Sequence, residues 1–369
     1  MPATLRVVLD QLVARTDADL AIASRELSRA LVRTAPAGCD VAAIVPGAPD
    51  VAGVLESAVP GLAEVTRTLA RRELATAWQV GAARGVGGGM IHSPSLLAPL
   101  VKHDRIHDHD QTVVTLWDLD AWERPRELGR VALTWQRAML KRAARFADAV
   151  VVPTHAAARR LAELAPLQGR IRVIAGAAPA GFAVPTDEIG RRRELGLPDG
   201  GVLLAGSSAP SARLADGFAA IARAGADLPV VVLDVPEGDE PAVVELAVAA
   251  GIAESRVHAR GALDDADRAA ALGGAVALIA PTELTSFPWR VVEALSVGVP
   301  VVAVDTEMAR EVVAEGGVLA GADELADALG EVLGSVATAE RYGVLAGDRG
   351  RAFSWLSSAE RVWQLHADL

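Results

Sequence analysis

From Phe287 to Val302 the chain reads Phe-Pro-Trp-Arg-Val-Val-Glu-Ala-Leu-Ser-Val-Gly-Val-Pro-Val-Val, a spacing that can hold a charged ligand. A short loop opens a helix bearing one acid, Glu293; the helix stops at Gly298, and Pro300 begins an apolar strand. Such a loop directs backbone N–H groups and the positive end of a helix dipole at its occupant, which suits a diphosphate. Glu293, one turn further on, can accept hydrogen bonds from sugar hydroxyls. It can also be read as an acid favoured by the dipole of its own first turn. Arg290 stands at the mouth of the same helix.

The elements that must position these residues follow a regular alternation. Apolar runs predict strands at Leu5–Leu9, Val41–Val45, Met90–His92, Val113–Leu116, Ala149–Val152 and Ile171–Ile174, and a second series at Val202–Ala205, Val230–Leu233, Val257–Ala259, Val276–Ala280 and Val299–Val304. Between them, Ala-rich amphipathic patterns predict helices at Leu20–Val32, Leu133–Phe146, His155–Leu164, Ala212–Ala222, Ala242–Ala250 and Asp264–Leu272. Continuous Val/Ile runs between amphipathic helices indicate parallel sheets covered on both faces. Two such series imply an α/β protein of two doubly wound, Rossmann-like domains. Their junction is expected within Gly176–Pro198, where Pro179, Gly181, Pro185 and the charged run Arg191–Glu194 interrupt the pattern. Ligands bind beyond the carboxyl ends of such strands, so two facing sheets would enclose a central cleft.

Composition narrows the classes. The 369 residues suit two domains. Hydrophobic residues make up 51% and the mean hydropathy is +0.29, yet charged residues interrupt every apolar run before the ~20 residues a membrane span needs. The start, Met-Pro-Ala-Thr-Leu-Arg, leads into a strand without a signal-peptide pattern. A single cysteine, Cys39, excludes an internal disulfide framework and fits a reducing cytoplasm. A net charge of −11, with no basic groove in the pattern to offset it, argues against a nucleic-acid partner.

The Phe287–Val302 stretch resembles the donor-sugar motif of the retaining GT-B glycosyltransferases of family 4, the "group 1" type. Other segments are similar to that family in the same order: Ile91-His92-Ser-Pro-Ser-Leu-Leu-Ala-Pro99-Leu, Val113-Val-Thr-Leu-Trp117-Asp118-Leu, Asp148-Ala-Val-Val-Val-Pro-Thr154, Arg310-Glu311-Val-Val and the closing Phe353-Ser-Trp355. The resemblance covers essentially the whole chain. It implies a GT-B fold with an acceptor-side domain over 1–180, a nucleotide-sugar donor domain over 181–350, and a final helix, 351–369, that returns to the first domain. The implied activity is a retaining hexosyltransferase acting in cell-envelope polysaccharide or glycolipid synthesis. No metal or other cofactor is implied, the nucleotide-diphosphate sugar being a substrate.

On this resemblance Glu293 would hold the donor ribose, with Gly206, Ser207, Arg213, Thr285, Ser286, Phe287 and Arg290 completing the donor site. The family's sugar-contacting acid falls at Thr285, and Glu283, two residues earlier, is the acid nearest to that role. The family's phosphate-binding Arg and Lys fall at Ser207 and at Asp216 or Ala212, so Arg290, or else Arg213, would have to supply the positive charge. On the acceptor side Trp117 stands where the family has a histidine and Asp118 is kept. Tryptophan can stack on a sugar but cannot exchange a proton. Trp117, Asp118 and Glu283 are the catalytic candidates on this resemblance. Because Trp117, Ser207 with its missing lysine, and Thr285 depart from the family together, a second reading stays open: a pseudo-glycosyltransferase that serves as partner or regulatory subunit to an active enzyme.

Two further segments carry chemistry-bearing residues. His103-Asp-Arg-Ile-His107-Asp108-His109-Asp110 mixes metal-ligand types, but it precedes the strand at Val113, on the side away from the expected cleft, and reads as a polar loop. The basic helix Trp135–Arg145 reads as a covering helix with a solvated face, or as a contact with an anionic membrane. The partners expected are a nucleotide sugar and a glycan or glycolipid acceptor, with peripheral membrane contact and a homo-oligomer or partner enzyme left open. The expected location is the cytoplasm, with the inner face of the cell membrane as the alternative within it.

Overall fold

Each of the eleven apolar runs forms a strand in the computed structural model, which describes residues 3–14, 16–82 and 85–369. Two edge strands join them, making thirteen among the described residues: β1 Ala3–Val8, β2 Cys39–Val45, β3 Glu64–Arg67, β4 Met90–Ser93, β5 Gln111–Thr115, β6 Ala149–Val152, β7 Ile171–Val173, β8 Gly201–Ala205, β9 Val230–Leu233, β10 Val257–Ala259, β11 Ala275–Ala280, β12 Val301–Val304 and β13 Gly317–Ala320. The chain divides into two compact units. The first comprises 1–176, 285–287 and 354–369; the second comprises 177–284 and 288–353.

In the first unit seven strands pair in the order β3-β2-β1-β4-β5-β6-β7, all parallel. Apolar residues on both faces make this necessary: Leu5, Val7, Val8 and Ala42 to Val45 are fully buried, so helices must cover each side. Asp17 caps the long helix Ala18–Arg33 by accepting from the Leu20 N–H at 3.0 Å. The last helix, Trp355–Asp368, packs here as well: Trp363 Nε1 donates to Leu31 O at 3.2 Å and Ser358 Oγ to Ala175 O at 2.6 Å.

The second unit repeats the plan with six parallel strands, ordered β10-β9-β8-β11-β12-β13. Phe218, on the helix Leu214–Arg223, fills the core with Val202, Leu204 and Ile279. In both sheets the order reverses beside the first strand of the unit, between β1 and β4 and between β8 and β11. Ligand sites of open α/β sheets lie at such switch points, beyond the carboxyl ends. Two parallel sheets with this topology constitute the GT-B fold.

Candidate functional site

The helix Trp289–Ser296 begins with no side-chain cap and no acid in its first turn, leaving its positive end to other groups. It ends as its sequence requires. Gly298 takes φ of 75°, the Gly298 N–H donates to Leu295 O at 3.1 Å, and the Val299 N–H donates to Ala294 O at 2.9 Å. The following chain then enters β12, which holds the helix against the sheet.

Glu293, 3% exposed, is the hub of an ion-pair network. Arg268 Nη2 donates to Oε1 at 2.8 Å, and its Nε lies 3.2 Å from both carboxylate oxygens. From the other side Arg290 Nη1 donates to Oε2 at 2.6 Å, while its Nε donates to Asp234 Oδ2 at 2.6 Å. Arg268 is anchored in turn by Leu263 O at 2.7 Å and Asp265 Oδ1 at 2.9 Å. Arg268 and Asp234 were not singled out in the sequence. Arg268 sits on the helix Asp265–Gly273, 25 residues before Glu293, and no local motif marks it. Asp234 follows β9 with φ of 60°, a left-handed turn position for which an Asp is a mild signal.

The loop after β8 is a second group. Gly206 takes φ of 132°, a value that favours glycine. Ser207 Oγ accepts from the Ala209 N–H at 3.3 Å, and Ser208 donates from N and Oγ to Asp239 at 2.7 and 2.5 Å. These bonds to Ser208 hold the Asp239 carboxyl below its ordinary pKa. Arg213, itself left-handed at φ of 53°, pairs with Asp216 at 2.7 Å and with Glu283 at 3.3 Å. Thr282 Oγ1 donates to Ser211 O at 3.2 Å, so this loop and the strand end after β11 are one assembly.

Thr285, Ser286 and Phe287 form a third group, with the first unit. Glu123 accepts from Thr285 N at 3.0 Å and Thr285 Oγ1 at 2.7 Å. Ser286 Oγ donates to Asp120 Oδ1 at 3.2 Å, and the Phe287 N–H donates to Trp117 O at 2.9 Å. The Trp117 ring packs against Phe287 and Trp355, with centroids 5.9 and 6.0 Å apart. At 8% exposure it is a packing residue of an aromatic cluster. Asp118 is exposed. Protein crowded around its carboxyl, which thins the surrounding water, and then the charge of Asp120 push its pKa up to about 6. Glu123 and Asp120 lie on one helical turn, Asp120–Glu123, and were missed because nothing in a lone D-x-x-E marks it as a clamp for a distant loop.

The predicted donor residues thus fall into three groups: Arg290 with Glu293, Gly206 and Ser207 with Arg213 and Glu283, and Thr285 to Phe287 beside Trp117. The polar loop before β5 lies at the amino end of that strand. There His103 Nε2 pairs with Asp148 at 2.8 Å, which raises the His103 pKa, and His107 Nδ1 pairs with Asp104 at 2.8 Å. No helix among the described residues is long and apolar enough to cross a membrane.

Residues 209–335 match the family model described as glycosyl transferases group 1. No curated protein matches the chain. Among solved structures, the chain is similar over nearly its whole length to sucrose-phosphate synthase from Thermosynechococcus elongatus. The TM-score is 0.72 at 19% identity, covering 99% of this chain and 98% of that one. It is also similar to Anabaena Alr3699/HepE in complex with UDP and glucose, with a TM-score of 0.72 at 16% identity over all of both chains. For WaaG, a glycosyltransferase involved in lipopolysaccharide biosynthesis, the TM-score is 0.66 at 13% identity, covering 97% and 98%.

Proposed function

With a GT-B fold and a group 1 glycosyl transferase segment at 209–335, we propose that the chain is a glycosyltransferase that takes a hexose from a nucleotide sugar with retention at the anomeric carbon. The observation that carries this reading is the convergence of Arg268 and Arg290 on Glu293 at an uncapped helix start. The Arg290 guanidinium, once released from Asp234, and the positive end of the helix dipole would supply the positive field that a diphosphate needs. Glu293, held on both sides, presents its carboxylate in one orientation, as recognition of two neighbouring hydroxyls requires. A nucleoside diphosphate arriving here would draw Arg290 from Asp234 onto its phosphates while Arg268 keeps Glu293 in place. The protein similar in fold that is described with UDP and glucose, HepE, supports a nucleotide-sugar donor.

In this reaction the acceptor oxygen bonds to the anomeric carbon as its bond to the β-phosphate oxygen breaks. The electron pair leaves with the diphosphate, which takes the acceptor proton on the same face of the sugar. Orientation and stabilisation of the departing charge supply the catalysis, and the reading calls for no metal or cofactor.

A specific observation favours the second reading. Each arginine near the loops already has a carboxylate: Arg290 has Asp234 and Glu293, and Arg213 has Asp216 and Glu283. A site so neutralised also suits a fold retained as a partner subunit. Thermal-shift measurements with UDP, GDP, ADP and their sugar conjugates separate the two. One nucleotide at about 100 times its Kd should stabilise the protein by about 2.7 kcal/mol. Glu293→Gln, which keeps the shape of the side chain, should reduce that gain. If every nucleotide leaves the melting temperature unmoved, the enzyme reading fails and the partner reading stands.

A further inference from the structure

A groove of about 1200 Å³ in the first unit lies between the helix Arg71–Val80 and the first two turns of the helix Arg130–Phe146. Both helices start beyond carboxyl ends, of β3 and of β5, so the groove opens on the edge of the sheet where ligands of this architecture sit. Its lining has two characters. Leu97, Val131 and the partly buried ring of Trp135 provide an apolar surface, and Val131 is 85% exposed, a position that packing does not explain. Around them stand Arg71, Arg72 and Arg130, with no carboxylate in the lining. In a chain of net charge −11 this is a local reversal of sign.

The three arginines differ in what holds them. Arg71 Nε donates to the fully buried Asp10 at 2.7 Å, which fixes its guanidinium at the rim and offsets its charge. Arg72 and Arg130 are exposed, and neither has an ion-pair partner among the described residues. The helix beginning at Arg130 has Gly129 at its cap, no capping side chain and no acid in its first turn, so its dipole adds to the same field.

We propose that this groove binds the acceptor, and that the acceptor is a small amphipathic anion. Its apolar part lies on Val131, Leu97 and Trp135, and its phosphate or carboxylate is held by Arg72 and Arg130. The word acceptor rests on the glycosyltransferase reading; the groove and its charge do not. Charge complementarity selects the anion, and the apolar floor selects against a free polar sugar. A hollow of about 1200 Å³ is the size of a single-molecule site, and contact with a lipid surface, which would need no such hollow, is the alternative that the test separates.

The test uses the full-length protein and octyl phosphate below its micellar concentration, with octyl glucoside, inorganic phosphate and vesicles containing anionic lipid as parallel probes. Octyl phosphate should bind with saturation, seen by calorimetry and by a change in tryptophan emission that is lost in Trp135→Phe. Both neutral octyl glucoside and inorganic phosphate should bind at least about tenfold more weakly, because each supplies only half of the complementarity. Arg72→Glu and Arg130→Glu, both on exposed side chains and checked for unchanged circular dichroism, should each weaken octyl phosphate about tenfold. Equal affinity for octyl phosphate and octyl glucoside, or insensitivity to both charge reversals, overturns the proposal. Binding to anionic vesicles with none to monomeric octyl phosphate overturns it too, in favour of a membrane contact. The nucleotide measurements are independent. Octyl phosphate binding without any nucleotide response leaves the groove standing and removes the transferase reading; the converse removes the groove alone.

Discussion

Glu293 and Arg268 are nearly excluded from water, and neither charge is tolerable there without the other. On the proposed function this makes Arg268 a positioning residue, one that acts through Glu293. Arg268→Met keeps the length and apolar stem but strands the carboxylate between Arg290 and apolar neighbours. We expect a loss of about 3–5 kcal/mol in unfolding free energy by urea titration, the usual cost of breaking a buried pair from one side. Combining it with Glu293→Gln should recover part of the loss, since the second change removes a buried carboxylate that only Arg290 would still compensate. A fully additive double-mutant cycle would show that the two do not interact. The sequence singles out Glu293, because motif and acid coincide there. It is silent about Arg268, Asp234, Asp120 and Glu123, since each meets its partner through folding and none sits in a spaced pattern. The roles expected of Ser207 and Arg213 likewise depended on a phosphate, whereas their bonds in the structure are to a turn and to two acids.

Among the elements, legibility followed burial. Strands buried on both faces announced themselves as Val/Ile runs, and their limits in the structure lie within two residues of those expected. The edge strands β3 and β13 were missed. Glu-Val-Thr-Arg is polar and mostly exposed, and Gly-Val-Leu-Ala is short and half-buried, so neither carries the run that marks a central strand. Helix packing offers a sharper test at this scale. On the helix Val336–Gly350, a Cβ at Gly350 would lie 2.6 Å from Leu295 O and 2.7 Å from Ser296 Cα, backbone atoms that cannot move aside without displacing the helix Trp289–Ser296. Gly350→Val should destabilise by about 1–3 kcal/mol, read as a lowered melting temperature. Gly330, on the exposed side of the helix Leu325–Leu333, has nothing within 4 Å of such a Cβ. There Gly330→Ala should stabilise by about 0.5–1 kcal/mol, the opposite sign in the same scan.

At the scale of the whole molecule, a pair of histidines from distant parts of the chain contributes acid sensitivity. His92 on β4 and His366 on the last helix meet edge to face, with centroids 5.7 Å apart. Burial lowers the His92 pKa to about 4; burial, with the charge of His92 adding to it, lowers that of His366 to about 3. In the unfolded chain both bind protons near pH 6.5. For this pair the unfolded state therefore holds more protons between pH 6.5 and 4, so its contribution to stability should decline as pH falls through that window, offset in part by Asp118, whose raised pKa favours the folded state there. Urea midpoints measured from pH 7 to 4 check this. His366→Phe, which keeps a ring against His92, should flatten the decline, and an unchanged slope would assign the acid response to other groups.

The last helix also sets an order of events. Residues 354–369 complete a unit whose other main part is 1–176, and Trp363 covers the helix Ala18–Arg33 through its bond to Leu31. While the ribosome makes 177–353, the older half of the chain waits with that surface open to water. The younger half can close around its own sheet first. Maturation therefore runs opposite to synthesis: the part born first is the part finished last. Its aggregation-prone interval is as long as the time needed to translate the second unit.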